Sequence, residues 1–363
     1  MTSLSIPAES GPTLDQGAAS VLRTRRLAAE DTGAWDGFVR AHPEGSFFQL
    51  TGWKRVIEKT FGYQVRYLLA ERDGRIAGIA PLFLVSNWIL GRCLLSVPFG
   101  VYGGLAAEDD EAQEALILEL KRLAESDRCD YLELRQRRGP IREGYHHNPL
   151  YSTFTCELYG DPERNLKQLP RDTRYMIRKG EKAGLEARYG TDQLKVFYDL
   201  FAENLRHHGT PLFPYSLFVN LVEEFREQLS LLMVYHKATP VSGVLSFKFR
   251  HTILPYYAGA GADATRLAAN NFMYWTLMRD AAREGFRCFD FGRSKKGTGS
   301  FAFKSQWNMN VEELQYQLLL VRRKTVPNFS PANPKFKRMA DIWQRLPAWL
   351  SRRVGPHVAP WFP

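Results

Sequence analysis

The chain has 363 residues, 44% of them hydrophobic and 13% aromatic, and a formal net charge of +10. That length exceeds one ordinary core and predicts two domains, while the apolar content excludes a disordered or fibrous protein. Its four cysteines (Cys93, Cys129, Cys156, Cys288) show no C-x-x-C spacing, which argues against a disulfide framework or zinc site and fits a reducing cytoplasm.

Residues 1–20 contain Glu9 and Asp15 and no apolar core behind a basic start, so they read as a disordered leader rather than a secretory signal. Ser46-Phe-Phe-Gln49-Leu-Thr-Gly-Trp53 opens the first folded region, and Gln49 and Trp53 are candidates for bracing the domain or for touching substrate. Gln64–Glu71 and Arg75–Val85 read as strands around the turn dipeptide Asp73-Gly74. A strand over Cys93–Val101, the small residues Gly103-Gly104, a helix over Asp109–Ser126 and a strand over Cys129–Arg135 complete the set. The weakly charged stretch Ile76–Ala107 is broken by Pro81, Asn87, Gly91 and Pro98, so buried strands explain it better than a membrane span.

Further on, Lys167, Arg171, Arg174, Arg178 and Lys182 recur at steps of three or four. One helix would array them along a face whose mutual repulsion calls for an anion, such as the phosphates of a sugar-linked precursor. Neutralisation by Asp172 and Glu181 is the alternative. On the binding reading Arg174, Arg178 and Lys179 are substrate contacts.

The second half repeats the first. Ser230–His236 and Val241–Arg250 flank Thr239-Pro240, Ile253–Ala258 leads to Gly259-Ala-Gly261, and a helix over Asn270–Glu284 leads to Arg287-Cys288-Phe-Asp-Phe-Gly. The pairs Gly78/Gly243, Gly104/Gly261 and Cys129/Cys288 lie 165, 157 and 159 residues apart, the drifting offset of an old duplication. Domains are accordingly placed at 21–150 and 151–325, with a basic tail over 326–363. From Arg322 onward nine lysines and arginines face Asp341 alone. Such a tail, carrying Trp343, Trp349 and Trp361, suits an anionic membrane face, RNA, or packing on the body.

The densest chemistry lies in Asp290-Phe-Gly-Arg293-Ser-Lys-Lys-Gly-Thr-Gly-Ser-Phe-Ala-Phe-Lys304-Ser-Gln-Trp307. Arg293, Lys295, Lys296 and Lys304 are expected to converge with backbone amides on one volume, as an anionic or oxyanion-forming substrate needs. Asp290, beside so many cations, is expected to hold a lowered proton affinity and to orient Arg293. Tyr256, on the preceding strand, is a further contact. G-x-S-x-G, P-loop, H-E-x-x-H and dinucleotide fingerprints are absent from the sequence, leaving hydrolase, NTPase and dehydrogenase readings without footing.

The element order of each half is that of the GNAT acyltransferase fold, so the expected class is α/β (α+β): two tandem GNAT-like domains with mixed, mostly antiparallel sheets. The usual coenzyme A loop has no good match at either strand–helix junction. Three motifs resemble the FemAB family: Ser46-Phe-Phe-Gln49-Leu-Thr-Gly-Trp53, similar to its F-x-Q-x-x-x-W; Arg174-x-x-Ile-Arg178-Lys179-x-Glu181-Lys-x-Gly184; and Phe303-Lys304-x-x-Trp307. Within it the chain is most similar to proteins associated with PEP-CTERM/XrtA exopolysaccharide systems.

The resemblance implies transfer of an acyl or aminoacyl group to an amine or hydroxyl of a cell-envelope or exopolysaccharide precursor. Lys304 would stabilise the oxyanion, and Arg178, Lys179 and Arg293 would hold phosphates or carboxylates. The donor would be aminoacyl-tRNA, acyl-CoA or an acyl carrier protein, with no bound cofactor or metal. The setting would be cytoplasmic, peripheral to the inner membrane. A coenzyme A-dependent acetyltransferase and a non-catalytic scaffold of polysaccharide assembly are the alternatives.

Overall fold

The computed structural model describes residues 21–327 and 334–363; the expected leader, residues 328–333 and the side chains of 334–337 lie outside that description. In chain order the first half forms β1 (Leu22–Arg26), α1 (Thr32–Ala41), α2 (Thr51–Phe61), β2 (Gln64–Val65), β3 (Leu68–Arg72), β4 (Arg75–Ala80), β5 (Leu82–Asn87), β6 (Gly91–Ser96), β7 (Ala106–Ala107), α3 (Asp110–Ser126) and β8 (Tyr131–Gln136). A connection through β9 (His146–Asn148) leads to β10 (Tyr151–Glu157), α4 (Pro162–Gln168), α5 (Arg171–Lys182), β11 (Leu185–Tyr189), α6 (Leu194–His207) and α7 (Tyr215–Phe225). Then come β12 (Leu229–His236), β13 (Thr239–Phe249), β14 (Thr252–Ala260), α8 (Ala269–Arg283), β15 (Cys288–Lys295), α9 (Gly299–Ser305), β16 (Asn310–Glu313) and β17 (Gln315–Leu320), followed by α10 (Pro334–Arg345) and α11 (Ala348–Val358).

Local chemistry sets most of these boundaries. Asp73 and Gly74 both take positive φ (51° and 76°), as a two-residue hairpin turn demands. Pro81 cannot donate to a ladder, and there the β4–β5 run passes from one sheet to the next. The Asp109 carboxylate caps α3 by accepting from the Ala112 amide at 2.9 Å, an N-cap worth about 1 kcal/mol. Three expectations are corrected. The strand from Cys93 stops at Ser96, because Val97 and Phe99 turn the backbone to φ 40° and 60°. The second hairpin turns at Lys237-Ala238, with Lys237 at φ 54°, so Thr239 and Pro240 are already in β13. The five-cation helix is two helices, broken at Leu169-Pro170.

Three sheets result, with orders β1-β3-β4-β7, β2-β5-β6-β8-β17-β9 and β11-β12-β13-β14-β15-β10-β16. The halves repeat their central device. β6 runs parallel to β8 only from Cys93/Tyr131 to Leu95/Glu133, and β14 to β15 only over Thr252/Cys288 and Ile253/Phe289. Beyond those pairs each couple forks apart. One strand crosses the expected domain boundary: β17, inside 151–325, pairs antiparallel with β8 of the first half.

The largest buried cluster joins the halves, stacking Phe47 of the first on Phe247 of the second at 4.3 Å between ring centroids. The tail packs on the body. Arg352 Nη1 donates to Asp199 at 2.5 Å, and a side chain at Gly355 would meet the Leu212 backbone at 2.8 Å. Among the described residues no helix is long and apolar enough to cross a membrane.

Candidate functional site

The second fork is open. Tyr256 and Tyr257 of β14, Phe291, Gly292 and Arg293 of β15, Tyr274 of α8 and Lys304 of α9 line a cavity of about 280 Å³ between the diverging strands. Phe99 and Val101 of the first half form its far wall, and the Tyr256 hydroxyl donates to the Phe99 carbonyl at 2.5 Å. A second cavity, about 630 Å³, lies over one face of β8, with Tyr131, Glu133 and Arg135 as its floor. Arg293, Phe362 and Pro363 line both and stand at their junction. A third, about 420 Å³, lies before the start of α8, beside Asn270, Asn271 and Phe303.

Arg293 is built into this junction. Its guanidinium lies 4.8 Å from the Tyr151 ring and 5.9 Å from that of Tyr316, whose hydroxyl it reaches only at 3.4 Å. The aromatic cradle holds the charge by its quadrupole and leaves donor capacity facing the cavities. Counted from the first paired residue of each fork, Arg135 comes four residues after Tyr131 and Arg293 five after Cys288. The extra residue is Gly292, at φ 65°.

Arg135 uses its fork differently. It donates to Glu133 at 2.8 Å, to the carbonyls of Val97 and Gly100 at 3.2 and 3.0 Å, and to that of Pro363 at 2.9 Å. Its own carbonyl accepts from the amides of Gly103 and Gly104. Gln136 completes the bridge, lying so close that a Cβ on Gly104 would sit 1.4 Å from its Oε1. The first fork is laced shut by Arg135, Gln136 and the carbonyls of its loop, with Pro363 of the tail joining them.

Lys304 is a clamp. Its Nζ donates to the carbonyls of Phe291, Gly292 and Arg293 at 2.6, 3.2 and 3.0 Å, pinning α9 to β15 where Gly292 bends the strand. Burial brings it down to about 8, Arg293 adding to the shift and Asp290 opposing it. Its charge therefore persists at neutral pH, close to the cavity.

Asp290 departs from expectation. It is 3% exposed and accepts from the Gly292 amide at 2.7 Å, from Tyr102 at 3.1 Å and from Thr153 at 3.2 Å. Burial raises its proton affinity, against the opposing charge of Arg137. It therefore neither orients Arg293 nor lines the open fork; it faces a separate cavity of about 170 Å³ between the halves. The expected cation cluster is likewise smaller. Lys296 is paired with Glu313, and Lys295 is half-buried on the strand outside the cavity linings, so among the described residues Arg293 and Lys304 are the cations that share the fork.

The remaining candidates are placed apart from it. Gln49 is 1% exposed, accepting from the Ser46 amide at 2.8 Å and donating to the Gly104 carbonyl at 3.0 Å, while Trp53 is fully buried with its indole on the Pro98 carbonyl. Both brace the first half and are buried away from the open fork. Arg178 and Lys179 are exposed on α5, and Arg174 turns back to the Lys167 carbonyl at 3.3 Å. Their motif also packs: Ile177 is buried, and a Cβ on Gly180 would lie 2.8 Å from Phe272. Sequence reading missed Arg135, Tyr102, Tyr151, Tyr316 and the Phe362-Pro363 segment. Only Arg135 carried a signal, its offset of 158 from Arg293 falling inside the drift of the repeat.

Residues 167–305 match the family model described as an acetyltransferase (GNAT) domain. A lipid II:glycine glycyltransferase of Staphylococcus aureus (strain bovine RF122 / ET3-1) is 33% identical over 96 residues, 26% of this chain and 22% of the relative. The chain thus spans about a fifth of the length of the curated relatives it matches. The crystal structure of FemX superposes over 83% of this chain and 98% of its own, with a TM-score of 0.66 at 16% identity. A tandem GNAT protein from the clavulanic acid biosynthesis pathway covers 84% and 100%, with a TM-score of 0.51 at 11% identity. Residues 167–305 thus match a GNAT domain, and the chain shares the two-domain fold of FemX and of the tandem GNAT protein.

Proposed function

We propose that the protein transfers an acyl or aminoacyl group to an amine or hydroxyl of a phosphorylated cell-envelope precursor of the peptidoglycan type. The observation that carries this reading is the open fork of β14 and β15, whose cavity meets a larger one at Arg293. A donor carbonyl enters between the strands, and the acceptor comes from the cavity over β8, whose volume of about 630 Å³ is that of a small-molecule site. Attack of the acceptor nitrogen or oxygen, with loss of its proton to solvent, forms a tetrahedral oxyanion beside Arg293, whose collapse breaks the bond to the donor and releases the carrier's hydroxyl or thiol; a cation already in place there stabilises the transition state more than the ground state. Lys304 holds the bend that positions Arg293 and adds its charge. The likeness to a lipid II:glycine glycyltransferase supports a muropeptide acceptor.

A second reading, acetyl transfer from coenzyme A, is favoured by the cavity at the start of α8, where amides suit a pyrophosphate. One assay separates them: aminoacyl-tRNA, acetyl-CoA and acyl carrier protein, each labelled in the acyl group, offered with UDP-linked muropeptide or UDP-sugar. Label moving from aminoacyl-tRNA to muropeptide is expected; transfer from acetyl-CoA alone selects the second reading. Absence of transfer from every donor returns the protein to a scaffold of envelope or exopolysaccharide assembly.

A further inference from the structure

The segment 334–363 carries six lysines and arginines against Asp341, a net charge of +5. On α10, Arg338, Ile342 and Arg345 follow at steps of four and three and are all exposed, Ile342 to 62%. The opposite face meets the body, Ala340 abutting Gly209. On α11, Trp349 is 67% exposed and the exposed Arg353 follows it by four, while Ser351 and Gly355 are buried and Arg352 pairs with Asp199 of the body. Each helix therefore presents a large apolar side chain beside exposed arginine. Water disfavours that combination, whereas the headgroup boundary of an anionic bilayer accepts both parts.

The same segment continues into the cleft. Tyr63 donates to the Pro360 carbonyl at 2.5 Å, Arg135 to that of Pro363 at 2.9 Å, and Trp361 meets Trp88 edge-on at 5.3 Å. Phe362 and Pro363 then stand where the two cavities join. Trp88 is itself 73% exposed, so the aromatic pair sits at the surface.

We propose that α10 and α11 dock the protein on an anionic lipid surface, and that docking lifts residues 359–363 from the junction of the two cavities. Sequence links the two events: α11 runs through Val358 directly into Ala359-Pro-Trp-Phe-Pro, so a helix drawn to the bilayer pulls on the strap. The coupling makes the junction accessible where lipid is present and keeps it covered elsewhere. It rests on the preceding reading only for the roles of the cavities; docking and lifting need no acyl donor.

Flotation of the full chain with vesicles of phosphatidylcholine, alone or mixed with phosphatidylglycerol, tests the docking. Recovery is expected to be roughly tenfold or more higher on the anionic vesicles and to fall as salt rises. The variant Ile342→Ser/Trp349→Ser, with unchanged Tm, should lose that excess. Maleimide labelling of Pro363→Cys, read peptide by peptide by mass spectrometry, tests the lifting and should speed severalfold on anionic vesicles. Equal recovery from neutral vesicles, or tighter binding of single-stranded RNA than of anionic vesicles, overturns the lipid surface. A labelling rate unchanged on fully bound protein overturns the coupling.

Discussion

The two forks have the same strand geometry and opposite fates. In the first, Arg135 spends its donors on the carbonyls of Val97, Gly100 and Pro363 and on Glu133, and the gap closes. In the second, Arg293 rests on two tyrosine rings with one long bond to Tyr316, and the gap stays open beside it. A duplicated backbone therefore supplies the opening twice, and the partners of one arginine decide whether it becomes a wall or a chamber. The closed copy is still used, since Phe99 and Val101 of its loop form a side of the open one.

The largest expected effect lies in the closed fork. Arg135→Ala removes the partner of Glu133 and two buried loop carbonyls, and should cost about 4 kcal/mol by denaturant unfolding. If stability holds within about 1 kcal/mol, the lacing is not what separates the forks. Arg293→Ala should lower transfer roughly 100-fold, about 2.7 kcal/mol of transition-state stabilisation, with little change in unfolding. A loss confined to KM would mark Arg293 as a binding group alone.

Acidity sharpens the contrast further. The Lys304 ammonium is held at about 8 against an ordinary 10.5, so between those values the folded protein binds fewer protons than the unfolded chain. As pH rises through that window, transfer should fall with an apparent pKa near 8 while the contribution of this group to stability rises. Lys304→Met should abolish that limb in both profiles. Smallest of all, Arg178→Ala/Lys179→Ala on exposed α5 should change stability by less than about 0.5 kcal/mol. A drop in transfer beyond about tenfold would bring α5 back into the site.

How far the sequence reached depends on how local each cause was. The repeat of elements, the Asp73-Gly74 turn and the extent of α3 follow from neighbours in the chain and were legible. Arg293 and Lys304 are legible through charge density, but nothing in the spacing of Lys304 reveals the three carbonyls turned toward it by a bend at Gly292. Asp290 failed for a related reason. Its proton affinity was judged from sequence neighbours, whereas burial against Tyr102 and Thr153 of distant elements decides it. The cationic helix failed at Pro170, a breaker visible in the sequence and outweighed there by the charge periodicity.

The pairing of β17 with β8 has a consequence for biosynthesis. The partner of Gln136 is Gln315, 179 positions later in the chain. At translation speeds of roughly 5–20 residues per second, the N-terminal sheet emerges from the ribosome with a bare edge for about 10–40 s. Until its last strand arrives, that edge is a template for mispairing with other nascent chains. Expression should accordingly lean on chaperones, and a gene cut between the halves should yield an insoluble N-terminal product.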